Sequence, residues 1–351
     1  MRAEVRHQTQ INPSERRWQM PLAAALASGL PLMVGAYFDR LDYGLISSVG
    51  GLIFLYLPAT ALHHRMVWLM ACGFGMMACY ALGVMSHFFP LLMMPVLTFI
   101  AILVSMVCRF YRVGPPGSLF FVMAATLGAY SPAEVLDVPL KVGLITMGCL
   151  LAGLIALFYS LFTLRTQAPQ PVAPLPPATF DFVVFDSVVI GLFVGLSMAL
   201  AQLLDLQRAY WVPVSCLAVI QGISFRAVWN KQLQRIMGTV LGLLLFLGLL
   251  VLPLDKWTIS LMVMALSFIV EVMIVRHYGF AVIFITPLTL FLAEAATLGH
   301  GVPTGILQAR LVDTVLGSLV GLAGGFCLHS PRFREVAGRQ LRRLTPSRLL
   351  P

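Results

Sequence analysis

RAYWVPVSCLAVIQGISFRAVWNKQLQRIMGTVLG, residues Arg208 to Gly242, decides how the rest of the chain is read. An apolar segment opens on Tyr210 and Trp211, is bent at Pro213, carries Gln221 inside it and ends at Arg226. A short basic turn with Arg226, Lys231 and Arg235 follows, and the chain re-enters an apolar run through Gly238 and Gly242. The pattern predicts a helical hairpin in a membrane with its tip in the cytoplasm. Trp and Tyr favour the headgroup level, and Lys and Arg favour the cytoplasmic loop. Gly238 and Gly242 let a neighbouring helix approach closely on one face.

The same character extends over the whole chain. Of its 351 residues 59% are hydrophobic and 11% charged, with a mean hydropathy of +0.91, against roughly 25% charged in soluble domains. The fold class is an all-α integral membrane protein. The longest polar stretches are about 20 residues, too short for a soluble domain. The net charge of +9 belongs to loops at the membrane surface, so no nucleic-acid partner is expected. Six cysteines (Cys72, Cys79, Cys108, Cys149, Cys216, Cys327) fall within or at the edge of apolar runs without metal-ligand spacing. Neither a metal, a cofactor nor a disulfide is expected. The apolar run 20–37 after Arg16-Arg17 exceeds the core of a signal peptide, and more spans follow, so it reads as the first transmembrane helix.

A span needs about 20 largely apolar residues. Twelve are predicted, near 20–38, 44–62, 66–85, 88–108, 114–131, 141–163, 183–204, 210–226, 235–253, 257–275, 279–298 and 307–328. With both termini in the cytoplasm, 18 of the 23 Lys and Arg fall inside and 5 outside, the asymmetry that sets orientation. A Pro-rich stretch after Arg165 predicts an extended spacer packed against nothing. The expected organisation is a cytoplasmic segment 1–19, a six-helix membrane repeat 20–164, a Pro-rich cytoplasmic linker 165–182, a second six-helix repeat 183–329, and a basic cytoplasmic tail 330–351. A shift of 167 residues places Tyr43 on Tyr210, Ser48 on Ser215, Gly75 on Gly242, Arg109 on Arg276 and Tyr111 on Tyr278. Repeats with an even number of spans are parallel, related by an axis along the membrane normal.

The Tyr-Trp-x-Pro entry, the buried Gln221 and the run Arg235-Ile-Met-Gly238-Thr239-Val-Leu-Gly242 resemble the fusaric acid resistance/aromatic acid exporter family of bacterial membrane proteins. Ala309-Arg310-Leu-Val-Asp313-Thr314-Val-Leu-Gly317 resembles a second stretch of that family. The resemblance implies a multi-pass transporter of the bacterial inner membrane. It would export aromatic carboxylic acids or similar organic anions on the proton-motive force. Some members work with a periplasmic adaptor protein. Longer members carry a sizeable cytoplasmic domain, where this chain has only its linker and tail. A homo-oligomer stands as a further candidate partnership.

Candidate residues follow from what a membrane penalises. Gly- or Pro-broken helices at matching places in two halves point to a transporter's binding site. Here these are Gly50-Gly51 with Pro58, Gly114-Pro115-Pro116-Gly117, Pro213 with Gly222, and Pro287. Ionisable residues at membrane depth are expensive and usually functional. Asp186, Glu271, Glu294 and Asp313 are the candidates for proton coupling, and all lie in the second half. Arg310 and Asp313 are three apart on one helical face, within plausible reach of Glu294. Tyr210, Trp211, Gln221, Arg235 and Arg310 are the candidates for substrate binding. Tyr210 and Trp211 fit an interfacial belt as well as a stacking platform. Gly191/Gly195, Gly238/Gly242 and Gly317/Gly321 read as helix-packing stripes. The arginines after Ser330 predict association with anionic headgroups.

No phosphate-binding loop and no nucleophile–base constellation in a polar setting is present, so transport rather than catalysis is expected. A passive anion channel and a non-transporting scaffold for envelope proteins are the competing classes.

Overall fold

The computed structural model describes residues 16–132, 134–172, 174, 179–298 and 305–344, apart from the side chains of 294–298 and 342–344. The described elements are all helical. In chain order they are α1 (Gln19–Tyr37), α2 (Leu41–Gly51, continued by a 3-10 turn Leu52–Tyr56), α3 (Leu62–His87) and α4 (Pro90–Phe110). Then come α5 (Leu119–Ala129), α6 (Val138–Thr163), α7 (Asp186–Leu203, preceded by a π turn Asp181–Phe185) and α8 (Trp211–Ile220). The series closes with α9 (Phe225–Leu249), α10 (Lys256–Ile274), α11 (Tyr278–Leu298), α12 (Ile306–His329) and α13 (Pro331–Leu344).

Among the described residues eight helices are long and apolar enough to cross a membrane. The stretch 41–56, α5, α8 and the fully described part of α11 are shorter. The 11 residues of α5 and 10 of α8 rise only about 16 and 15 Å, half of a hydrocarbon core of about 30 Å. The local cause is in the sequence. Pro115 and Pro116 lack an N–H, Gly117 sits at φ 60°, and α5 starts only at Leu119. Helix α8 ends at Ile220, before Gln221-Gly222. At the other extreme α10 is cleanly started: the Asp255 side chain accepts from the Thr258 N–H at 2.9 Å. That bond, on a fully exposed group, holds the Asp255 carboxyl below its ordinary range.

The chain forms two compact units, each drawn from three separate segments. The first comprises Met1–Met77, Leu136–Val172 and Gln234–Gln308. Within it α1 packs on α2, α6 and α10, α2 on α6 and α11, and α10 on α11. Serine hydroxyls tie these helices. Ser47 Oγ donates to the Leu144 carbonyl at 2.8 Å, Ser48 Oγ to the Ser28 carbonyl, and Ser28 Oγ to Ser267 Oγ at 3.3 Å. The second unit comprises Ala78–Val135, Ala173–Leu233 and Ala309–Pro351. Here α7 packs on α4 and α8, α4 on α5, and α5 on α8. Its core joins Val122, Phe185, Ile190, Val194, Leu217, Ile220 and Val320. Each unit thus holds the first, second and sixth helices of one half of the chain with the fourth and fifth of the other.

Three expectations change. The stretch with Arg226, Lys231 and Arg235 is not a turn but the opening of α9, because the helix is interrupted only between Ile220 and Phe225. The Pro-rich stretch is not contact-free: an extended backbone leaves its amides available, and the Gln170 N–H donates to the Ala59 carbonyl at 2.9 Å. The segment after Ser330 is not a bare tail but the amphipathic helix α13. Its apolar face seats Ala337 and Leu341 against the core of the second unit.

The glycine stripes meet helices closely. Gly191 and Gly195 face Ile102 and Thr98 of α4, and Gly238 and Gly242 face Val282 and Thr286 of α11. Gly317 and Gly321 of α12 lie against α8, where a Cβ on Gly317 would fall on the Val212 carbonyl oxygen. Gly153 of α6 has nothing within 4 Å of such a Cβ. Gly317→Val should therefore destabilise by about 1–3 kcal/mol through overpacking, read as a lowered unfolding temperature in detergent. Gly153→Val should leave it unchanged. Equal shifts would show that α12 does not depend on this approach.

Candidate functional site

The second unit carries an ionisable group around the N-terminal end of α8. Arg310 and Asp313 stand on one face of α12, which the Gly317–Val212 approach holds against α8. Trp211 is the first residue of α8 and only 4% exposed. The Arg310 guanidinium lies 4.1 Å above its ring, a stacking that gains strength away from water. Arg310 itself is 2% exposed. Burial removes Trp211 from any lipid-facing belt; its ring is a platform for a cation.

Asp313 is 0% exposed, and neither carboxylate oxygen has a hydrogen-bond partner among the described residues. Buried polar groups nearly always have one. The cations acting on it electrostatically are Arg310 and Arg208. The group therefore holds two guanidinium charges against one carboxylate. Thr314 and Ser318 continue the polar stripe along α12, both fully buried. Thr314 Oγ1 donates to the Arg310 carbonyl at 2.8 Å, whereas the Ser318 hydroxyl has no partner among the described residues.

An aromatic row extends from this group. Tyr210 lies 5.2 Å from Trp211 between ring centroids, and Tyr130 lies 6.2 Å from Tyr210. Gln202 Nε2 donates to the Tyr130 hydroxyl at 3.1 Å. Tyr130 follows the last residue of α5, so this end of the short α5 meets the start of the short α8. Their opposite ends meet as well. Gln221 Nε2 donates to Ser118 Oγ at 2.8 Å, and Ser118 Oγ accepts from Ser105 Oγ at 3.2 Å. Gln221 thus fastens the end of α8 to the start of α5, at the far end of α8 from Trp211.

The other candidates lie elsewhere. Asp186 is shared by Arg109 at 3.0 Å and Arg334 at 2.7 Å, within the second unit. In the first unit Glu271 takes Arg16 at 3.1 Å, and Arg235 donates to the Tyr278 hydroxyl at 3.3 Å. The side chain of Glu294 lies outside the described residues. Tyr130, Gln202 and Ser118 were missed by sequence reasoning, and Arg334 was read only as a headgroup-binding arginine of the tail. Ser118 had a signal, since it directly follows the Gly-Pro-Pro-Gly break. A tyrosine and a glutamine at helix ends carry none. Arg65 is buried and donates to the Thr60 carbonyl at 2.6 Å.

Residues 196–324 match the family described as fusaric acid resistance protein-like. This segment contains α8, most of α12 and the Trp211–Arg310–Asp313 group, and the resemblance read from the sequence holds over it. The chain is also similar to the uncharacterized membrane protein YvaC of Bacillus subtilis (strain 168). The two are 21% identical, and the match covers 92% of this chain and 74% of the relative. That alignment runs over 471 positions, so the relative carries inserted residues within the matched span. No solved structure matches the chain. The chain is a multi-pass membrane protein with a lipid environment.

Removing one partner of a buried ion pair strands the other charge and costs about 3–5 kcal/mol. Asp186→Asn should lower the unfolding temperature more than Arg334→Gln, which leaves the Arg109–Asp186 pair in place. In Arg334→Gln, hydrogen exchange should rise over α13 while α4 and α7 keep their protection. Equal temperature shifts would mean that Arg109 draws little from Asp186.

Proposed function

We propose that this membrane chain, fusaric acid resistance protein-like over residues 196–324, is a secondary transporter of the bacterial inner membrane. It exports aromatic carboxylates or similar organic anions, and it carries out no catalysis. The observation that carries the reading is the fully buried Asp313 carboxylate, without a hydrogen-bond partner among the described residues, one turn from an arginine stacked on Trp211. An ionisable residue at membrane depth is a functional site by default.

With Asp313 ionised, Arg310 and Arg208 leave one positive charge in the group, which one organic anion neutralises. Its carboxylate goes to Arg310, which presents a planar fork suited to it. Its ring goes to the row of Trp211, Tyr210 and Tyr130. A proton on Asp313 removes a competing negative charge. Anion affinity therefore rises as Asp313 is protonated, and binding an anion draws a proton to Asp313. Anion and proton therefore cross together as a neutral pair, on which the membrane potential does no work, and net export follows the combined gradients of anion and proton. Asp186 and Glu271 act as structural ion pairs rather than proton carriers. Twelve crossings in two repeats, with both termini in the cytoplasm, complete the reading. The helix sets of the two units support the duplication, and the short α5 and α8 would be completed by non-helical chain buried within the protein.

The test is flux of radiolabelled benzoate in inside-out vesicles, with and without an imposed pH gradient and potential. Wild-type protein should accumulate the label above equilibrium and lose it when the gradients collapse. Asp313→Asn and Arg310→Gln should reduce the gradient-dependent part at least tenfold at equal protein abundance. Gradient-driven flux at the wild-type rate in Asp313→Asn removes Asp313 from the mechanism. Equilibration without accumulation makes the protein a channel, and no flux of a broad panel of anions makes it a scaffold.

A further inference from the structure

Away from the Trp211–Arg310–Asp313 group, the second unit holds a basic cluster that transport does not use. Asp186, at the start of α7, accepts from Arg109 of α4 and Arg334 of α13. Arg112 brings a third guanidinium. It lies 4.0 Å over the ring of Phe182, which also carries Arg109 at 4.7 Å. Arg112 is exposed and makes no ion pair among the described residues. Its backbone sits in the left-handed region, φ 52°. That conformation is a common ending just past a helix C-cap. Two guanidinium groups thus share one carboxylate, and a third stands over the neighbouring Phe182 ring. Counting Asp181, which directly precedes Phe182, still leaves an excess positive charge.

The two helices that carry this cluster also form a groove. They run antiparallel, with Thr98 beside Gly195 and Ile102 beside Gly191, and Arg109 beside Asp186. Between them lies a shallow, largely open apolar groove lined by Met94, Phe99, Ile102, Leu192, Leu196 and Ala199. Phe99, Leu192 and Leu196 are exposed. At 1.5 Å per residue the groove begins about 10 Å from the basic cluster and runs to about 22 Å from it. This is the separation between a phospholipid's phosphate and its acyl chain. Positive charge at one end and an apolar trough along the same seam match one amphipathic anion.

We propose that the α4–α7 seam binds an anionic glycerophospholipid. Its phosphate is held by Arg112 with Arg109 and Arg334, and one acyl chain lies in the groove. Basic pockets between membrane helices recognise headgroups in this way. A bound phosphate adds the negative charge that Asp186 alone does not supply, and it steadies α13 through Arg334. The site is independent of the transport reading, because its occupant stays in the lipid phase.

The experiment is native mass spectrometry of the delipidated full chain, titrated with phosphatidylglycerol or with phosphatidylcholine of the same acyl chains. Phosphatidylglycerol should bind saturably and at least fivefold more tightly than phosphatidylcholine. Arg112→Gln, an exposed substitution that leaves the Asp186 pairs intact, should weaken phosphatidylglycerol about fivefold, the contribution of one arginine near the surface. It should leave phosphatidylcholine unchanged. Ala199→Trp, which fills the groove, should weaken both lipids. Equal affinity for the two lipids, or unchanged phosphatidylglycerol affinity in Arg112→Gln, would overturn the proposal. Displacement of the lipid by benzoate would do so too, assigning the cluster to the transported anion.

Discussion

A carboxylate buried to 0% exposure in an apolar helix bundle, with no hydrogen-bond partner among the described residues, is the constraint on which the second unit turns. Such a group is tolerated only where cations act on it or where it carries a proton. Arg310 and Arg208 supply the first condition at Asp313. Trp211 in turn supplies Arg310 with a polarisable face instead of water. Holding this arrangement requires α12 and α8 to touch, and the glycines at 317 and 321 permit it. It also requires the short α8 to begin at Trp211, beside Arg310. Fold and site thus depend on one another through a few small residues and one broken helix.

The two units meet similar demands with different chemistry. Each clamps a helix pair with an ion pair near the start of its first helix. In the first unit the acid, Glu271, is on α10 and the base, Arg16, lies three residues before the start of α1. In the second the base, Arg109, is on α4 and the acid, Asp186, opens α7. On the proposed duplication these are corresponding helix pairs with the charges exchanged. An exchange of this kind keeps the stabilising pair while changing the sign of the charge near each helix end. The second unit adds Arg334 from α13, leaving that end positive. A buried carboxylate stripe at the position of Asp313 has no counterpart in the first half, where the 167-residue shift reaches Thr146.

Much of this was legible in the sequence because a membrane allows few solutions. Apolar run length located the body of each helix from α1 to α12, although it began α9 ten residues late because Arg226, Lys231 and Arg235 were read as a turn, and the Gly and Pro breaks located the short α5 and α8. The Arg310–Asp313 spacing placed both groups on one helical face. Partners at long range could not be read. Arg16 with Glu271, Arg334 with Asp186 and Gln221 with Ser118 join residues 255, 148 and 103 positions apart, and no local pattern encodes such pairings. The division into units was hidden for the same reason, since helices from both halves intermix in each. Gln221 was read as a candidate for substrate binding. Its partner is the Ser118 hydroxyl, which a linear reading had no means to bring near.

The most direct test of the central claim is the number of protons exchanged when an aromatic carboxylate binds the purified protein. It is obtained by calorimetry in buffers of different ionisation heat over a range of pH. The account predicts proton uptake on binding for the wild-type protein and none for Asp313→Asn, which should still bind the anion through Arg310. Equal proton uptake in both proteins, or none in either at any pH, would contradict it.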